Sequence, residues 1–216
     1  MVVCSSEGKG HAAVIDDVIR QAEVSRGTFY KYFDSLEQAT AALAHQMADE
    51  MAGGGIEKVY DNVAEPLMRT CTGFQLYLLR ARIEPQWGDF FCHVGLLNSG
   101  SALSAKIVGD IESGMASGDY SVSSIQIALD MLIGTKVEAI RRIISGNVGP
   151  DYIIAMTAIV LRALGVSSSK ADFVSARAFH RICAEAPKNL SWWKPSDEWI
   201  SLKPAQVDNS TGMEKA

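Results

Sequence analysis

The 216-residue sequence predicts an all-α protein, and three observations support this fold class. Apolar residues recur at helical spacing along most of the chain, and no long stretch alternates as a half-buried strand would. Turns that contain glycine or proline separate the periodic stretches. Hydrophobic residues make up 48% of the chain and charged residues 21%, which is typical of globular domains. The helices therefore have enough apolar surface to form a buried core.

The first three predicted helices lie in the first quarter of the chain. Apolar residues at positions i, i+3, i+4 and i+7 predict a helix over Ile15–Ala22. A second helix covers Ser25–Phe33, whose first residue is a good N-cap. A third begins at Asp34 or Ser35 and ends before the glycines at 53–55. Two short helices joined by a tight turn and followed by a longer helix describe a helix-turn-helix.

Beyond these glycines the periodicity predicts a larger helical domain. Its helices are expected at about Ile56–Val63, Pro66–Ile83, Pro85–Leu97, Ala102–Ala116, Val122–Ser145, Asp151–Leu164 and Lys170–Ala186. We therefore divide the chain into a helix-turn-helix domain at 1–52, a larger helical domain at 53–186 and a C-terminal tail at 187–216.

Bulk properties exclude several classes of protein. The longest apolar stretch, Ile153–Val166, contains Arg162 and is shorter than the roughly 20 residues of a membrane-spanning helix. No basic segment followed by an apolar run marks a secretion signal, so the cytoplasm is the expected location. The formal net charge of −5 describes the whole chain and does not exclude a local surface that binds phosphate.

The sequence shows no set of residues typical of catalysis or metal binding. The cysteines at 4, 71, 92 and 183 occur singly, which argues against zinc and disulfides and indicates reduced, buried thiols. His93 lacks carboxylate or histidine partners at ligand spacing. No Ser/His/Asp set or phosphate-binding loop is present. We therefore expect neither an enzyme nor a bound cofactor or metal.

The segment from Ala22 to Thr40, AEVSRGTFYKYFDSLEQAT, gives the second helix two different faces. Phe29 and Phe33 are i, i+4 neighbours that can pack against the first helix. The other face carries side chains that can hydrogen-bond bases or phosphates in a major groove: Arg26, Thr28, Tyr30, Lys31 and Tyr32. Gly27 allows close approach of the backbone to a phosphate. Because any amphipathic surface helix has polar residues outside its apolar stripe, a purely structural helix stays open as the alternative.

The run IDDVIRQAEVSRGTFYKYFDSLEQATAAL resembles the DNA-binding signature of the TetR family of bacterial transcriptional regulators, which contains V-S-x-G-T-x-Y-x-Y-F. The resemblance is nearly continuous from Gly10 to Leu43, and beyond it only the all-α plan is shared. It implies a recognition helix with these DNA-contacting residues: Ser25, Arg26, Gly27, Thr28, Tyr30, Lys31 and Tyr32. It also implies a larger domain that binds a small molecule and dimerises.

The resemblance therefore predicts a one-component transcriptional regulator. We expect a repressor that binds a palindromic, double-stranded operator as a homodimer and is released by a small hydrophobic or planar effector. The alternative is a ligand-binding or protein-interaction helical protein whose incomplete helix-turn-helix no longer binds DNA.

Three positions depart from the family pattern. Val14 replaces the usual capping threonine, Glu23 the usual turn glycine, and Leu36 a common lysine. A non-glycine residue in a left-handed turn costs on the order of 1 kcal/mol, and a lost cap costs about as much. The loss of two possible phosphate contacts predicts weaker and less salt-sensitive DNA binding.

The N-terminal region departs further from the family pattern. The family's first helix would lie before Gly10, where Ser5, Ser6 and Gly8 are poor helix formers, so this helix is expected to be short or missing. Residues 1–45 contain four basic and six acidic residues, whereas a DNA-binding domain is normally basic. Either the true start lies upstream of Met1, which we favour, or the chain is an atypical regulator with reduced DNA affinity.

The larger domain contains aromatic and methionine residues that can line an apolar pocket. The candidates for ligand contact are Phe74, Tyr77, Trp87, Phe90, Phe91 and Met131. Such residues are more often ordinary core, so that alternative stays open. The pocket interpretation predicts a hydrophobic or planar ligand.

Two neighbouring predicted helices carry wide apolar stripes. The stripes consist of Ile125, Leu129, Leu132, Ile133, Lys136, Ile140, Ile143 and Ile144, and of Ile153, Met156, Ile159 and Val160. In the TetR family two such helices pair with their copies as a four-helix bundle, and Ala128 and Gly134 would permit close approach. Packing within one chain is the alternative.

Overall fold

The computed structural model describes residues 15–53, 55–60, 63–94, 102–146, 148–149 and 151–194. These residues form α-helices and no strand, which confirms the predicted all-α class. The helices are α1 (Ile15–Gln21), α2 (Arg26–Tyr32), α3 (Leu36–Ala52), α4 (Gly55–Tyr60), α5 (Pro66–Ile83), α6 (Pro85–Val94), α7 (Ala102–Ala116), α8 (Ile125–Ile144), α9 (Asp151–Ala163) and α10 (Ser168–Asn189). None of these described helices is both long and apolar enough to cross a membrane.

The turn between α1 and α2 has the left-handed conformation that the resemblance to the TetR family implied. Glu23 adopts a φ of 54°, and among the described residues it is the one non-glycine with a positive φ. The Val24 N–H donates to the Ile19 carbonyl at 3.0 Å and closes the turn. Because a β-carbon is disfavoured in this conformation, Glu23 costs on the order of 1 kcal/mol that glycine would not.

Helix α5 is the centre of the larger domain. It packs against α6, α7, α8, α9 and α10, and most of its residues between Leu67 and Ala81 are buried. Trp87, Phe90 and Phe91 of α6 are also fully buried. Burial of apolar side chains from five helices around one is the main source of stability of this domain.

The start of α8 lies three residues later than predicted. The helix begins at Ile125 because the Ser124 hydroxyl accepts a hydrogen bond from the Ile127 N–H at 3.4 Å. Helix α6 is described as far as Val94, and the remainder of its predicted length, to Leu97, falls outside the described residues.

The end of α10 corrects a second predicted boundary. The sequence predicts an end at Ala186 because proline follows, yet the helix continues through Pro187 to Asn189. A proline removes one backbone donor from the helix. The last turn is held by the Leu190 N–H, which donates to the Ala186 carbonyl at 2.8 Å, and both of these residues are buried.

Most side chains of the apolar stripes of α8 and α9 are buried within the protomer. Their buried members within this single chain are Leu129, Leu132, Lys136, Ile140, Ile143, Ile153 and Val160. Ala128 is buried as well. These side chains pack within the protomer, as the intramolecular alternative expects, whereas Ile159 of the second stripe is exposed. Pairing of the two helices with a second copy stays a prediction.

Gly114 in α7 is required by the ring of Tyr120. A β-carbon at position 114 would approach that ring more closely than the 3.0 Å limit of real contacts, and the Tyr120 N–H is bonded to the Gly114 carbonyl at 2.9 Å. We therefore expect Gly114→Ala to lower the free energy of unfolding by about 1–3 kcal/mol through overpacking. Urea unfolding followed by circular dichroism measures this change.

Gly109 in the same helix provides the matched control. A β-carbon there has no neighbour within 4 Å among the described residues, so Gly109→Ala is expected to stabilise α7 by up to about 1 kcal/mol. Equal effects of the two substitutions would contradict the close packing of Tyr120 on Gly114.

Candidate recognition helix and ligand cavity

Helix α2 is fixed at both ends by its own sequence. The Ser25 hydroxyl accepts a hydrogen bond from the Thr28 N–H at 3.0 Å and lies 2.8 Å from the Thr28 hydroxyl, so Ser25 is the N-cap that the sequence predicted. Phe29 is the buried residue of this helix. Its ring lies 5.7 Å from that of Phe33 and orients the helix.

The opposite face of α2 is open to solvent. Arg26, Thr28 and Lys31 are exposed, and Tyr30 and Tyr32 expose 48% and 66% of their surface. The structure thus brings the outward-facing candidates together beside the cap residue Ser25. Whether they contact DNA stays a prediction.

Gly27 has no structural requirement in the described part of the chain. A β-carbon at this position would meet only the Ser25 hydroxyl, at 3.8 Å, and the backbone φ is not positive. A glycine in the first turn of a helix costs stability relative to alanine. This position is therefore consistent with close approach of another molecule, as the sequence predicted.

The Arg26 guanidinium is held by an acidic residue of α1. Its Nη2 atom lies 2.6 Å from the Asp16 carboxylate, and both side chains are largely exposed. The hydrogen bond and the charge of Asp16 raise the pKa of Arg26. An exposed pair of this kind contributes little stability, but it competes with any phosphate or base for the same guanidinium.

Arg80 connects the helix that follows α2 to the larger domain. This buried residue of α5 forms ion pairs with Glu50 of α3 at 2.6 Å and with Glu84 at 3.2 Å. Its guanidinium also stacks on Trp87 at 4.8 Å and on Trp192 at 5.4 Å. The sequence analysis missed this residue because no local pattern distinguishes it from a surface arginine. Trp192 thus packs against the larger domain.

A cavity lies between α3, α4, α5, α7 and α8. The space that the centre of a water molecule can reach in it is about 60 Å³. It is lined by Met51, Ile56, Tyr60, Thr70, Gly73, Phe74, Leu76, Tyr77, Lys106, Ile107, Asp110, Leu132 and Lys136. A mostly apolar wall with a few polar groups is typical of a small-molecule site. Met51 brings α3 into this wall.

The candidate pocket residues divide between the cavity and the core. Phe74 and Tyr77 line the cavity. Trp87, Phe90 and Phe91 do not line it and are fully buried in the core, where the rings of Trp87 and Phe91 stack 5.2 Å apart. Half-buried Met131 is also absent from the wall. Ligand contact by the six candidates stays a prediction.

Lys136 is a buried charged residue on the wall, and the sequence did not predict its place in the cavity. It is 3% exposed, and its Nζ lies 4.2 Å from the centre of the Tyr77 ring and 5.7 Å from that of Phe74. Burial lowers the pKa of this ammonium from 10.5 to about 8, while the charge of Asp110 acts in the opposite direction. The available signal was a lysine within an otherwise apolar helical stripe.

Asp110 has two hydrogen-bond donors, Tyr60 and Arg69. Its carboxylate accepts hydrogen bonds from the Tyr60 hydroxyl and from the Arg69 Nε, the second at 2.9 Å. Arg69 also donates to the Ala64 carbonyl. The positive charge of Arg69 therefore compensates the acidic group on the cavity wall.

The comparisons with known proteins identify the family of this chain. Residues 65–177, more than half of the chain, match the protein-family profile described as "Tetracyclin repressor-like, C-terminal domain". The chain belongs to the TetR family of transcriptional regulators. Membership of this TetR family confirms the resemblance predicted from the recognition helix and indicates a regulator, not an enzyme.

Two solved structures share the fold. RolR without ligand has a TM-score of 0.59 and 23% identity, covering 80% of this chain and 90% of RolR. RolR in complex with resorcinol has a TM-score of 0.60 and 22% identity, covering 76% of this chain and 82% of RolR. At this identity the likeness shows the TetR-like fold alone. No curated protein matches the sequence.

Proposed function

We propose that this TetR-family chain is a ligand-released repressor that binds a palindromic, double-stranded operator as a homodimer through α2. One observation carries the proposal: buried Phe29 holds α2 so that the Arg26, Tyr30 and Lys31 side chains lie together on an exposed face. Such side chains can bond base edges and phosphates. We assign DNA binding to residues 1–52 and the cytoplasm as the location.

The larger domain, residues 53–186, is proposed to bind the effector and to form the dimer, with 187–216 as the tail. The cavity supports an effector that is small and hydrophobic or planar. RolR has been solved with resorcinol, a single-ring compound. Because Met51 of α3 is part of the cavity wall, a ligand there can shift α3, which directly follows the recognition helix. That shift would change the separation of the two recognition helices.

The proposed dimer surface lies on α9 and α10. Ile159 exposes 51% of its surface and Phe173 exposes 40%. An ion pair of 2.9 Å between Arg162 and Asp172 joins the two helices beside these residues. Exposed apolar residues with charged neighbours are typical of a protein–protein interface.

The second candidate function is a ligand-binding helical protein that no longer binds DNA. The Arg26–Asp16 ion pair favours it, because an acidic group occupies the guanidinium that would contact DNA. Under this alternative the cavity is active and α2 is a structural helix.

DNA binding is tested by fluorescence anisotropy with the DNA that flanks the protein's own gene, across a salt series. The wild type is expected to bind in a sequence-preferring and salt-dependent way. The double variant Arg26→Ala, Tyr30→Ala is expected to lose roughly 10–100-fold in affinity, because an arginine–base contact contributes about 1–3 kcal/mol. Light scattering of the same sample is expected to give twice the 23.3 kDa chain mass.

Arg142→Ala provides a charge-matched control, because Arg142 is similarly exposed but lies on α8. It should leave DNA affinity unchanged. Equal binding by the wild type and the double variant, or no binding at low salt, would favour the second candidate function. A monomeric mass at micromolar concentration would contradict the homodimer.

A further inference from the structure

We infer that the effector is a single-ring aromatic compound with an acidic oxygen, which binds in the cavity against the Lys136 ammonium. This inference deepens the proposed function, since it rests on the cavity being the effector site. The shared chemistry is an anionic or acidic oxygen on a planar ring, supplied by a carboxylate or by a phenol.

Lys136 is a buried cation without a bonded partner. Among the residues that the structure describes, its Nζ has no hydrogen-bond or ion-pair partner and lies over the faces of Tyr77 and Phe74. Buried charges in proteins are normally paired, because transfer of an ammonium from water is costly. An anion in the cavity would supply the missing partner through a charge-assisted hydrogen bond.

The remaining charges of the wall leave the cavity positive. Apart from Lys106, which packs on the Tyr60 ring, the charged groups of the wall are Lys136 and Asp110. Arg69, 2.9 Å from Asp110, already balances that carboxylate. The Asp110 oxygens accept hydrogen bonds from Arg69 and Tyr60, and no hydrogen bond joins them to Lys136 among the described residues. The electrostatic field in the cavity therefore favours an anion over a neutral or cationic ligand.

The size and lining of the cavity select a single ring. The centres of water molecules can reach about 60 Å³ of the cavity. Since each water needs about 10–15 Å³ of such space and takes up about 30 Å³ in the liquid, the cavity holds roughly four to six waters, or roughly 120–180 Å³. That volume suits one substituted aromatic ring. Phe74 and Leu132 supply apolar surface, and Tyr77 adds a buried hydroxyl without a hydrogen-bond partner among the described residues. The hydroxyl can donate to the same acidic oxygen.

Isothermal titration calorimetry of the full chain without DNA tests the inference with three probes: benzoate, phenol and the neutral isostere benzamide. Wild-type protein is expected to bind benzoate or phenol at least about tenfold more tightly than benzamide. Lys136→Met should lower the affinity for the acidic probe at least about tenfold and abolish its preference over benzamide. Lys106→Met, at the half-buried second cation of the wall, is the control and should keep the preference.

The two acidic probes distinguish the source of the oxygen. Binding of benzoate that depends on Lys136 identifies a carboxylate, and such binding of phenol alone identifies a phenol. The inference would be overturned if benzamide bound as tightly as benzoate and phenol, or if Lys136→Met kept the preference for the acidic probe over benzamide. It would also be overturned if neither benzoate nor phenol bound at concentrations up to about 10 mM. Because DNA is absent, such a result leaves the DNA experiment to decide the proposed function.

Discussion

Lys136→Met is expected to raise the free energy of unfolding at pH 7 by about 2 kcal/mol. The lowered pKa of the Lys136 ammonium, about 8 in place of 10.5, corresponds to a cost of about 3 kcal/mol for keeping the charge in the folded protein. The cation–π contact of the ammonium with Tyr77, at 4.2 Å, stabilises the folded protein by about 1 kcal/mol, and the variant loses this contribution. Methionine has a similar shape and no charge, so the net effect is stabilising.

The stabilisation by Lys136→Met is expected to disappear as the pH rises. Below about pH 8 both states of the wild type hold the proton, and the folded state carries the full cost. Between about 8 and 10.5 the unfolded state binds more protons than the folded state, so wild-type stability from this group rises with pH. Above that window Lys136 is neutral in both states.

Urea unfolding of both proteins from pH 7 to 10 measures this difference. Burial raises the pKa of the thiols, to about 12 for Cys71 and about 11 for Cys92 and Cys183. These thiols therefore lower stability above about pH 9 in both proteins, and the comparison removes their effect. Lys106→Met should show no comparable gain, since Lys106 is only half-buried. A Lys136→Met variant less stable than wild type at pH 7 would refute the uncompensated charge.

Trp87→Ala is expected to lower the free energy of unfolding by about 3–5 kcal/mol. The side chain is fully buried and stacks on Phe91 at 5.2 Å with planes 18° apart. Its ring also contacts Tyr77 at 6.0 Å and the Arg80 guanidinium at 4.8 Å. Truncation removes these contacts and leaves a cavity that rigid helices on several sides cannot close.

Circular dichroism during urea unfolding measures the effect without relying on tryptophan fluorescence. Because Trp87→Ala removes a large part of a typical domain's stability, Trp87→Phe serves as a milder variant that should remain folded. Trp192→Ala is the control: Trp192 also stacks on Arg80 but is half-buried, so a loss of about 1 kcal/mol is expected. Equal losses at positions 87 and 192 would show that Trp87 is not a core residue.

Lys136→Met is expected to raise the free energy of unfolding and Trp87→Ala to lower it, because the two residues have different roles. Trp87 was a candidate for ligand contact, but its contacts are those of a structural residue behind Tyr77. Lys136 is expected to destabilise the protein relative to a nonpolar residue of similar length. Binding sites commonly contain groups that lower the stability of the free protein, because such a group finds its bonding partner only when the ligand is present.

Arg80 links the helix that lines the cavity to α3, the helix that follows the recognition helix. Helix α5 carries Phe74 and Tyr77 on the cavity wall and Arg80 one turn further on. Arg80 in turn holds Glu50 of α3. Under the proposed function, a ligand that displaces α5 or Met51 would act on α3 through these packed and ion-paired contacts.

Features that depend on neighbours within about four residues could be predicted from the sequence alone. The capping by Ser25 and the burial of Phe29 beneath an exposed polar face follow from local hydrogen bonds and helical periodicity. The resemblance to the TetR family implied the left-handed turn at Glu23. The resemblance to TetR regulators rests on the same short segment. The family assignment and the all-α fold could therefore be predicted from the sequence.

Only the tertiary structure decided which buried side chains face the cavity. Helix α5 is buried on nearly all sides and its buried residues include Thr70, Thr72 and Gln75, so its periodicity does not indicate which neighbour each side chain meets. Phe74 and Trp87 look equivalent in sequence, yet one lines the cavity and the other fills the core. Lys136 and Asp110 come together from helices 26 residues apart in the chain, and Arg80 meets Glu50 across 30 residues. Long-range packing, not local propensity, determines these contacts.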